Sequence, residues 1–112
     1  MSKNKTLSEI QSDVDQYINQ FKEGYFSPLS ALARLTEEVG ELAREMNHRF
    51  GDKPKKPDEK ENSIENELGD LLFILVCIAN SLNVDLEQAY EQVMKKYQIR
   101  DANRWTRKMN SK

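Results

Sequence analysis

Apolar residues recur every three or four positions along the first part of the chain, which is typical of one face of a helix. The residues of this face are Ile10, Val14, Tyr17, Ile18 and Phe21. Thr6 and Glu9 have the spacing of a capping box, in which each side chain accepts a hydrogen bond from the other residue's backbone. We therefore expect a helix that begins near Leu7 and ends at Gly24.

A second helix is predicted to begin after Ser27, a residue type that favours helix N-caps, with Pro28 in its first turn. Its apolar residues again recur at spacings of three and four. They are Leu32, Leu35, Val39, Leu42, Met46 and Phe50. Gly51 follows the last of them, and because glycine commonly ends helices, we expect this helix to stop there.

The third predicted helix is much more apolar than the first two. Asn62 and Glu65 have the spacing of a cap for a helix over about 63–82. The nine residues 71–79, LLFILVCIA, are apolar on every side of that helix. Such a helix must be surrounded, either by its own chain or by a second subunit.

A fourth helix is predicted after Asp85 and Gln88, which have the spacing of another cap. Its apolar face consists of Ala89, Val93 and Tyr97. The fold class is therefore all-α, a small bundle of four main helices in one domain over 1–112. The charged stretch 51–62, GDKPKKPDEKEN, is predicted to be a solvated loop, and the tail from about 101 has no clear period.

The chain has no segment that is typical of a membrane protein or a secreted protein. Its longest apolar run has nine residues, whereas a membrane-spanning helix needs about 20. The first residues, MSKNKTLSEIQSD, lack the apolar centre of a signal peptide. The single cysteine, Cys77, fits a reducing compartment. We therefore expect a cytoplasmic protein with no membrane partner.

Charge is distributed unevenly along the chain. The formal net charge is −2, but residues 95–112 contain seven Lys/Arg and one Asp, so the rest of the chain is acidic. A basic tail of this kind could bind nucleic acid. It could also place cations beside acidic metal ligands, which is a common arrangement in phosphate chemistry. Composition does not choose between these two possibilities.

The same pair of acidic residues, three positions apart, occurs on the second and third predicted helices. These pairs are Glu38 with Glu41, and Glu67 with Asp70. Residues three apart share a helical face, and the second pair lies on the face of Leu71, which should point inward. Buried carboxylates are costly unless they are paired or bound to metal. We therefore predict that the four side chains hold a divalent cation between the two helices.

Four oxygen ligands favour Mg²⁺, with Mn²⁺ as a plausible substitute. Zinc is not expected in a chain with one His and one Cys. Mg²⁺ held by carboxylates usually recruits substrate phosphates, so the site suggests phosphoryl or nucleotidyl chemistry. A P-loop NTPase is excluded because the chain has no glycine-rich phosphate loop. The competing interpretation is a solvated acidic face, to which we assign Glu45 and Glu65.

The stretches EEVGE at 37–41 and ELGD at 67–70 resemble the EExxE…ExxD signature of MazG-like nucleotide pyrophosphohydrolases, which are all-α NTP pyrophosphatases. Twenty-five residues separate the two halves, a distance within the usual range of this family. The apolar run after the second half and the basic end of the chain also resemble its small stand-alone members. The resemblance covers roughly residues 7–107.

This resemblance implies that the chain hydrolyses a nucleoside triphosphate, standard or aberrant, to the monophosphate and pyrophosphate. Nucleotide-pool housekeeping would be its cellular role. The Mg²⁺ ligands would be Glu38, Glu41, Glu67 and Asp70. Glu37, the first acid of the motif, would orient or deprotonate the attacking water, or only support the ligands. The resemblance also implies a homodimer, or a tetramer built from two dimers, which agrees with the all-round apolar third helix.

Cationic and aromatic side chains are candidates for contacts with the nucleotide substrate. Lys96 and Arg100 are four positions apart on the fourth helix, so they share a face and are predicted to bind the phosphates. Tyr25 and Phe26, in the turn before the acidic helix, are predicted to contact the base. Two other aromatic residues have the spacing of core residues, namely Tyr17 and Phe21.

Other functions stay open at this point. A non-catalytic helical interaction module would have solvated acidic faces and no response to metal. Nucleic acid is not the expected partner, because the body is acidic and no recognised binding motif is present. Iron-binding carboxylate bundles need the Glu-x-x-His motif twice. This chain has it once, at 45–48, so that interpretation fails unless an oligomer supplies the second copy.

Overall fold

The computed structural model describes residues 4–52 and 63–108 and contains four helices. The helices are α1 (Leu7–Ile18), α2 (Pro28–Phe50), α3 (Ile64–Ser81) and α4 (Leu86–Arg100). No strand occurs in these two ranges, so the predicted all-α fold is confirmed. Residues 53–62 of the predicted charged loop lie outside the described residues.

The start of α1 agrees with the prediction, but its end does not. The Thr6 hydroxyl accepts a hydrogen bond from the Glu9 amide at 3.1 Å, and the Thr6 amide donates to Glu9 Oε1 at 2.8 Å, which completes the capping box. The helix ends at Ile18, so Phe21 lies in the following turns and not on the helix. Gly24 ends these turns with a φ of +66°, a left-handed conformation that glycine adopts without a steric penalty.

The bounds of α2 and α3 follow their caps. The Ser27 hydroxyl accepts from the Ser30 amide at 3.2 Å, and the helix stops at Gly51, as predicted. For α3 the cap is Ser63, whose hydroxyl accepts from the Asn66 amide at 2.9 Å. The predicted cap residue, Asn62, lies outside the described residues.

The predicted cap of α4 is present, and the helix ends where the periodicity is lost. Asp85 Oδ1 accepts hydrogen bonds from the Glu87 amide at 2.9 Å and from the Gln88 amide at 3.3 Å. After Arg100 the chain continues as turns over 101–104, so the tail is not part of the helix.

Antiparallel packing of α2 against α3 forms the largest helix–helix contact in the described residues. Arg34, near the start of α2, lies close enough to Cys77, near the end of α3, for its charge to act on that thiol. Glu38, further along α2, meets Asp70, nearer the start of α3. The other side of α3 packs against α1, and its Val76 is fully buried.

A network of polar side chains joins α1 to the ends of the other helices. Asn80 Nδ2 donates to the Gln11 carbonyl and to the Tyr25 hydroxyl, both at 2.9 Å. Gln11 Nε2 donates in turn to Asn80 Oδ1 at 2.9 Å, and the Tyr25 hydroxyl donates to Asp15 at 2.7 Å. Burial, followed by the bond to Asp15, raises the pKa of Tyr25 to about 12. Tyr25 is thus held as a neutral phenol in a fixed position.

Two rows of aliphatic side chains lie exposed on α2 and α3. Their members are Leu32, Val39 and Met46 on α2, and Leu68, Leu72 and Leu75 on α3. Each of these side chains is between 44% and 52% exposed. The described part of the chain therefore does not surround α3, which was one of the two possibilities that its apolar sequence left open. We call these six residues the aliphatic face.

No single helix in the described residues is long and apolar enough to cross a membrane. Together, α3 and α4 are long and apolar enough for a membrane span by length and composition alone, but the chain bends by 105° between them. In α3 the side chains of Ile74, Val76 and Ala79 are buried inside the protein.

Substitution of Thr6 by Ala should lower the free energy of unfolding by about 1 kcal/mol, because it removes the acceptor that caps α1. Urea unfolding at a fixed protein concentration measures this change. Ser12→Ala, at an exposed position inside the same helix, is the matched control and should change stability by less than about 0.5 kcal/mol. Equal effects of the two substitutions would contradict a specific contribution of the cap.

Candidate functional site

The two predicted acidic pairs face each other between α2 and α3. One carboxylate oxygen from each of Glu38, Glu67 and Asp70 lies within 4.8 Å of the other two. Glu67 is only 3% exposed and Glu38 is half-buried, whereas Asp70 is exposed at the edge of the group. The site is therefore open to solvent on the Asp70 side and closed on the Glu67 side.

The charges of these carboxylates act strongly on one another. Burial is the main reason that the pKa of Glu67 is raised, and the carboxylates of Glu41 and Asp70 raise it further. The pKa of Glu38 is raised by burial and then by the charge of Glu41, which places this fourth predicted ligand beside the other three. A cation between these side chains would remove both the repulsion and the cost of burying the charges.

Two carboxylate oxygens in this group lack a protein partner. Oε2 of Glu38 and Oε2 of Glu67 are both buried, and neither accepts a hydrogen bond from any described residue. Buried polar atoms without partners are rare and call for an explanation. An oxygen-only donor set with unsatisfied buried atoms fits a hard divalent cation such as Mg²⁺.

Glu45 lies buried near this group, so its predicted place on a solvated face is wrong. It is only 4% exposed, and its charge contributes to raising the pKa of Glu67. The signal was present in the spacing, because Glu45 is four residues after Glu41 and seven after Glu38, which places all three on one face of α2. Glu65 is exposed, as expected.

Glu37 lies next to the group in sequence but not on the same face. Its side chain is exposed, as expected for a residue about 100° around the helix from Glu38. Its predicted role toward the attacking water stays a prediction.

The predicted phosphate contacts, Lys96 and Arg100, lie on α4, whose main helix contact in the described residues is with α1. Both side chains lie over the ring of Tyr97, at 5.1 Å for Lys96 Nζ and 4.7 Å for the Arg100 guanidinium carbon. Arg100 also forms an ion pair with Asp101 at 3.0 Å. The charges that act most on Glu38 and Glu67 are all carboxylates.

A cavity of about 430 Å³ lies beside the acidic group, at the end of the α2–α3 contact where α2 begins. Five aromatic residues line it, namely Tyr17, Phe21, Tyr25, Phe26 and Phe73. The rings of Tyr17 and Phe21 meet edge to face at 5.4 Å between centroids, and those of Tyr17 and Phe73 at 6.2 Å. The predicted base contacts, Tyr25 and Phe26, thus lie in one cavity.

Tyr17 and Phe21 are not core residues, as their spacing had suggested, because their side chains are 51% and 50% exposed. For Phe21 the reason is that α1 ends at Ile18, so the chain turns before this residue can pack under α3. Sequence periodicity alone does not distinguish an aromatic residue that fills a core from one that lines a cavity.

The cavity and the acidic group are continuous along the two helices. Arg34 and Phe73 line the cavity, and they lie one helical turn from Glu38 and Asp70, respectively. Cys77 also lines the cavity, and burial raises the pKa of its thiol, so the side chain stays a neutral thiol at pH 7. The described residues therefore form an aromatic cavity whose wall lies one helical turn from a set of carboxylates.

Both the sequence and the fold of this chain are similar to those of known proteins. Residues 26–105 match the MazG nucleotide pyrophosphohydrolase domain. YpjD of Bacillus subtilis (strain 168) is 62% identical over 108 residues, which cover 96% of this chain and 97% of that protein. The crystal structure of YpjD from Bacillus subtilis matches with a TM-score of 0.76 at 61% identity, covering 86% of this chain and 98% of that one. The crystal structure of the Bacillus-conserved MazG protein, a nucleotide pyrophosphohydrolase, matches with a TM-score of 0.74 at 57% identity, covering 86% of this chain and 93% of that one. This chain therefore belongs to the MazG nucleotide pyrophosphohydrolase family and is a hydrolase.

Proposed function

We propose that this protein uses Mg²⁺ to hydrolyse the anhydride between the α- and β-phosphates of a nucleoside triphosphate, which yields the monophosphate and pyrophosphate. The observation that carries this proposal is the pair of buried, unpartnered oxygens of Glu38 and Glu67 beside an aromatic cavity. Mn²⁺ is a plausible substitute, since both ions prefer oxygen ligands.

The proposed metal ligands are Glu38, Glu41, Glu67 and Asp70. When bound, the cation would neutralise phosphate charge and activate a water molecule. Glu67, being buried, would hold the inner side of the ion, while the exposed Asp70 leaves the outer side accessible to phosphates and water. Glu37, exposed on the neighbouring face, is proposed to orient or deprotonate the attacking water, or to support the ligands.

The proposed binding site for the base is the aromatic cavity, in which Tyr25 and Phe26 would contact the ring system. A volume of about 430 Å³ lies within the range of small-molecule sites. Edge-to-face packing of Tyr17 on Phe21 and on Phe73 leaves an apolar surface on which a planar base can stack. Because the Tyr25 hydroxyl is already bonded to Asp15 and Asn80, this residue would recognise the base through its ring.

Assembly into a homodimer, or into a tetramer of two dimers, is part of the proposal. The aliphatic face contains six half-exposed side chains on two adjacent helices, and exposed apolar groups in such numbers are typical of interaction sites. A second copy is also the simplest source of the phosphate contacts Lys96 and Arg100, which lie on α4 away from the acids of their own chain.

A cytoplasmic location and a role in removing aberrant nucleotides complete the proposal. Both rest on the resemblance to the family and on the single cysteine, which suits a reducing compartment. The exposed aliphatic face also fits the alternative, a non-catalytic interaction module, but that alternative leaves the buried unpartnered carboxylate oxygens unexplained.

Product analysis tests the reaction directly. The protein is incubated with ribo- and deoxyribonucleoside triphosphates, with Mg²⁺ or with a chelator, and the products are separated by ion-exchange chromatography. Monophosphate and pyrophosphate should form only with the metal.

Glu38→Gln and Asp70→Asn should each lower turnover on the order of 100-fold or more, because each removes a charged ligand of the metal. Glu65→Gln, an exposed acid on the same helix as Asp70, is the control and should keep full activity. Near-normal turnover by either ligand variant would show that the metal assignment is wrong.

Removal of the buried charge at Glu67 should have opposite effects without and with metal. Because folding raises the pKa of Glu67, its favourable contribution is complete below the unfolded value, about 4.3, and is lost as pH rises through the folded value. The metal-free Glu67→Gln variant should therefore melt at a higher temperature than the wild type at pH 7, and the difference should shrink toward pH 4. Mg²⁺ should raise the melting temperature of the wild type but not of the variant, since metal binds only the folded site.

Scanning fluorimetry with Mg²⁺, Mn²⁺ or chelator gives these melting temperatures, with Glu65→Gln expected to behave as the wild type. Equal stabilisation of wild type and Glu67→Gln by Mg²⁺ would contradict the assignment of Glu67 as a ligand. A wild type that does not respond to either metal would favour the interaction module.

Substitution of Leu72 by Glu should break the proposed assembly, because it places a charge in the centre of the aliphatic face. Sedimentation equilibrium at micromolar concentration should give a dimer or tetramer for the wild type and a smaller species for the variant. Gln16→Glu adds the same charge at an exposed polar position of α1 and should leave the mass unchanged. A stable wild-type monomer would contradict the proposed oligomer.

A further inference from the structure

Arg34 occupies the position on α2 between the aromatic cavity and the acidic group. Ala31, Arg34 and Glu38 are spaced by three and four residues, so they share one face of the helix. Ala31 is buried in the wall of the cavity, and Glu38 belongs to the acidic group. Along the helix axis Arg34 lies about 6 Å from Glu38.

Arg34 is exposed to solvent and borders the cavity. Arg34 lines the cavity together with Phe73 and Cys77 of the facing helix. Its charge acts to lower the pKa of the Cys77 thiol, against the larger effect of burial. The main charges acting on Glu38 and Glu67, in contrast, come from other carboxylates.

The guanidinium group of Arg34 forms no hydrogen bond and no ion pair with any residue in 4–52 or 63–108. The absence of a partner is informative because Glu38 and Glu41 lie within two turns of it on the same helix. A guanidinium group has five N–H donors in a planar fork that matches the oxygens of a phosphate. The donors of Arg34 are therefore available to an anion that enters from the cavity.

The order of groups in a nucleotide fits this position. If the base lies in the cavity and the outer phosphates lie at the metal, as the proposed function requires, the α-phosphate falls between them. Arg34 is the cation that the chain places at that point. We propose that Arg34 binds the α-phosphate of the substrate and, after hydrolysis, the phosphate of the monophosphate product. It contacts the nucleotide directly and makes the site select phosphorylated nucleosides over free nucleosides.

Calorimetric titration of the whole protein with 2′-deoxynucleosides, with their 5′-monophosphates and with Mg²⁺–pyrophosphate tests this assignment. The wild type should bind the best monophosphate about tenfold or more tightly than the matching nucleoside. Arg34→Gln should remove this difference and leave the affinities for the nucleoside and for Mg²⁺–pyrophosphate unchanged. Arg34→Lys should keep part of it, because the ammonium group retains the charge without the fork.

Two control variants separate this effect from a general loss of charge or of structure. Arg44→Gln removes the same charge from an exposed position of the same helix and should bind every probe as the wild type does. Glu67→Gln should lose Mg²⁺–pyrophosphate binding but retain the preference for the monophosphate. If Arg34→Gln lowered the affinities for the nucleoside and for the monophosphate by the same factor, Arg34 would only shape the cavity. That result would overturn the proposal.

The outcomes also distinguish this inference from the proposed function. A wild type that releases no pyrophosphate from any triphosphate, but binds monophosphates through Arg34, would contradict the proposed reaction and support the Arg34 site. A wild type that hydrolyses triphosphates, with an Arg34→Gln variant that keeps the full monophosphate preference, would overturn the Arg34 site alone. Absence of wild-type binding to every monophosphate would also overturn it.

Discussion

Repulsion between the carboxylates that meet on α2 and α3 is the constraint on which the rest of the site depends. Glu67 and Glu45 are almost fully buried, and the pKa of Glu67 is raised first by its burial and then by the charges of the neighbouring acids. Repulsion alone would drive these carboxylates apart. The packing of α3 against both α1 and α2 must therefore hold them together. Part of the stabilisation gained by burying the apolar residues of α3 thus offsets the repulsion at the anionic site, which a bound cation would relieve.

The proposed metal and phosphate ligands lie on a different side of α2 from the aliphatic face. On α2, Arg34, Glu38 and Glu41 share one side, while Val39 and Leu32 of the aliphatic face lie about 100° and about 120° around the helix from Glu38. This separation lets a second subunit cover the aliphatic face without covering the acids. The polar network around Asn80 supplies the remaining rigidity, because it ties the end of α3 and the Tyr25 side of the cavity to α1.

Most of the fold could be predicted from the sequence because local interactions determine it. The bounds of α2 follow from Ser27 and Gly51, whose effects are confined to a few neighbouring residues. The early end of α1 and the exposure of Tyr17 and Phe21 could not be predicted, since both depend on contacts between distant segments. The burial of Glu45 was not predicted for a related reason. Its spacing places it on the face of Glu38 and Glu41, but whether that face is buried depends on the helix that packs against it.

The size of the chain explains why so much apolar surface stays exposed around a well-built site. A chain of 112 residues buries a smaller fraction of its surface than a larger domain does. Here carboxylates occupy part of the α2–α3 contact, while six aliphatic side chains on the same two helices stay about half exposed. The proposed assembly would offset the cost of this anionic centre: a second copy that covered the aliphatic face would add hydrophobic stabilisation that the single chain lacks.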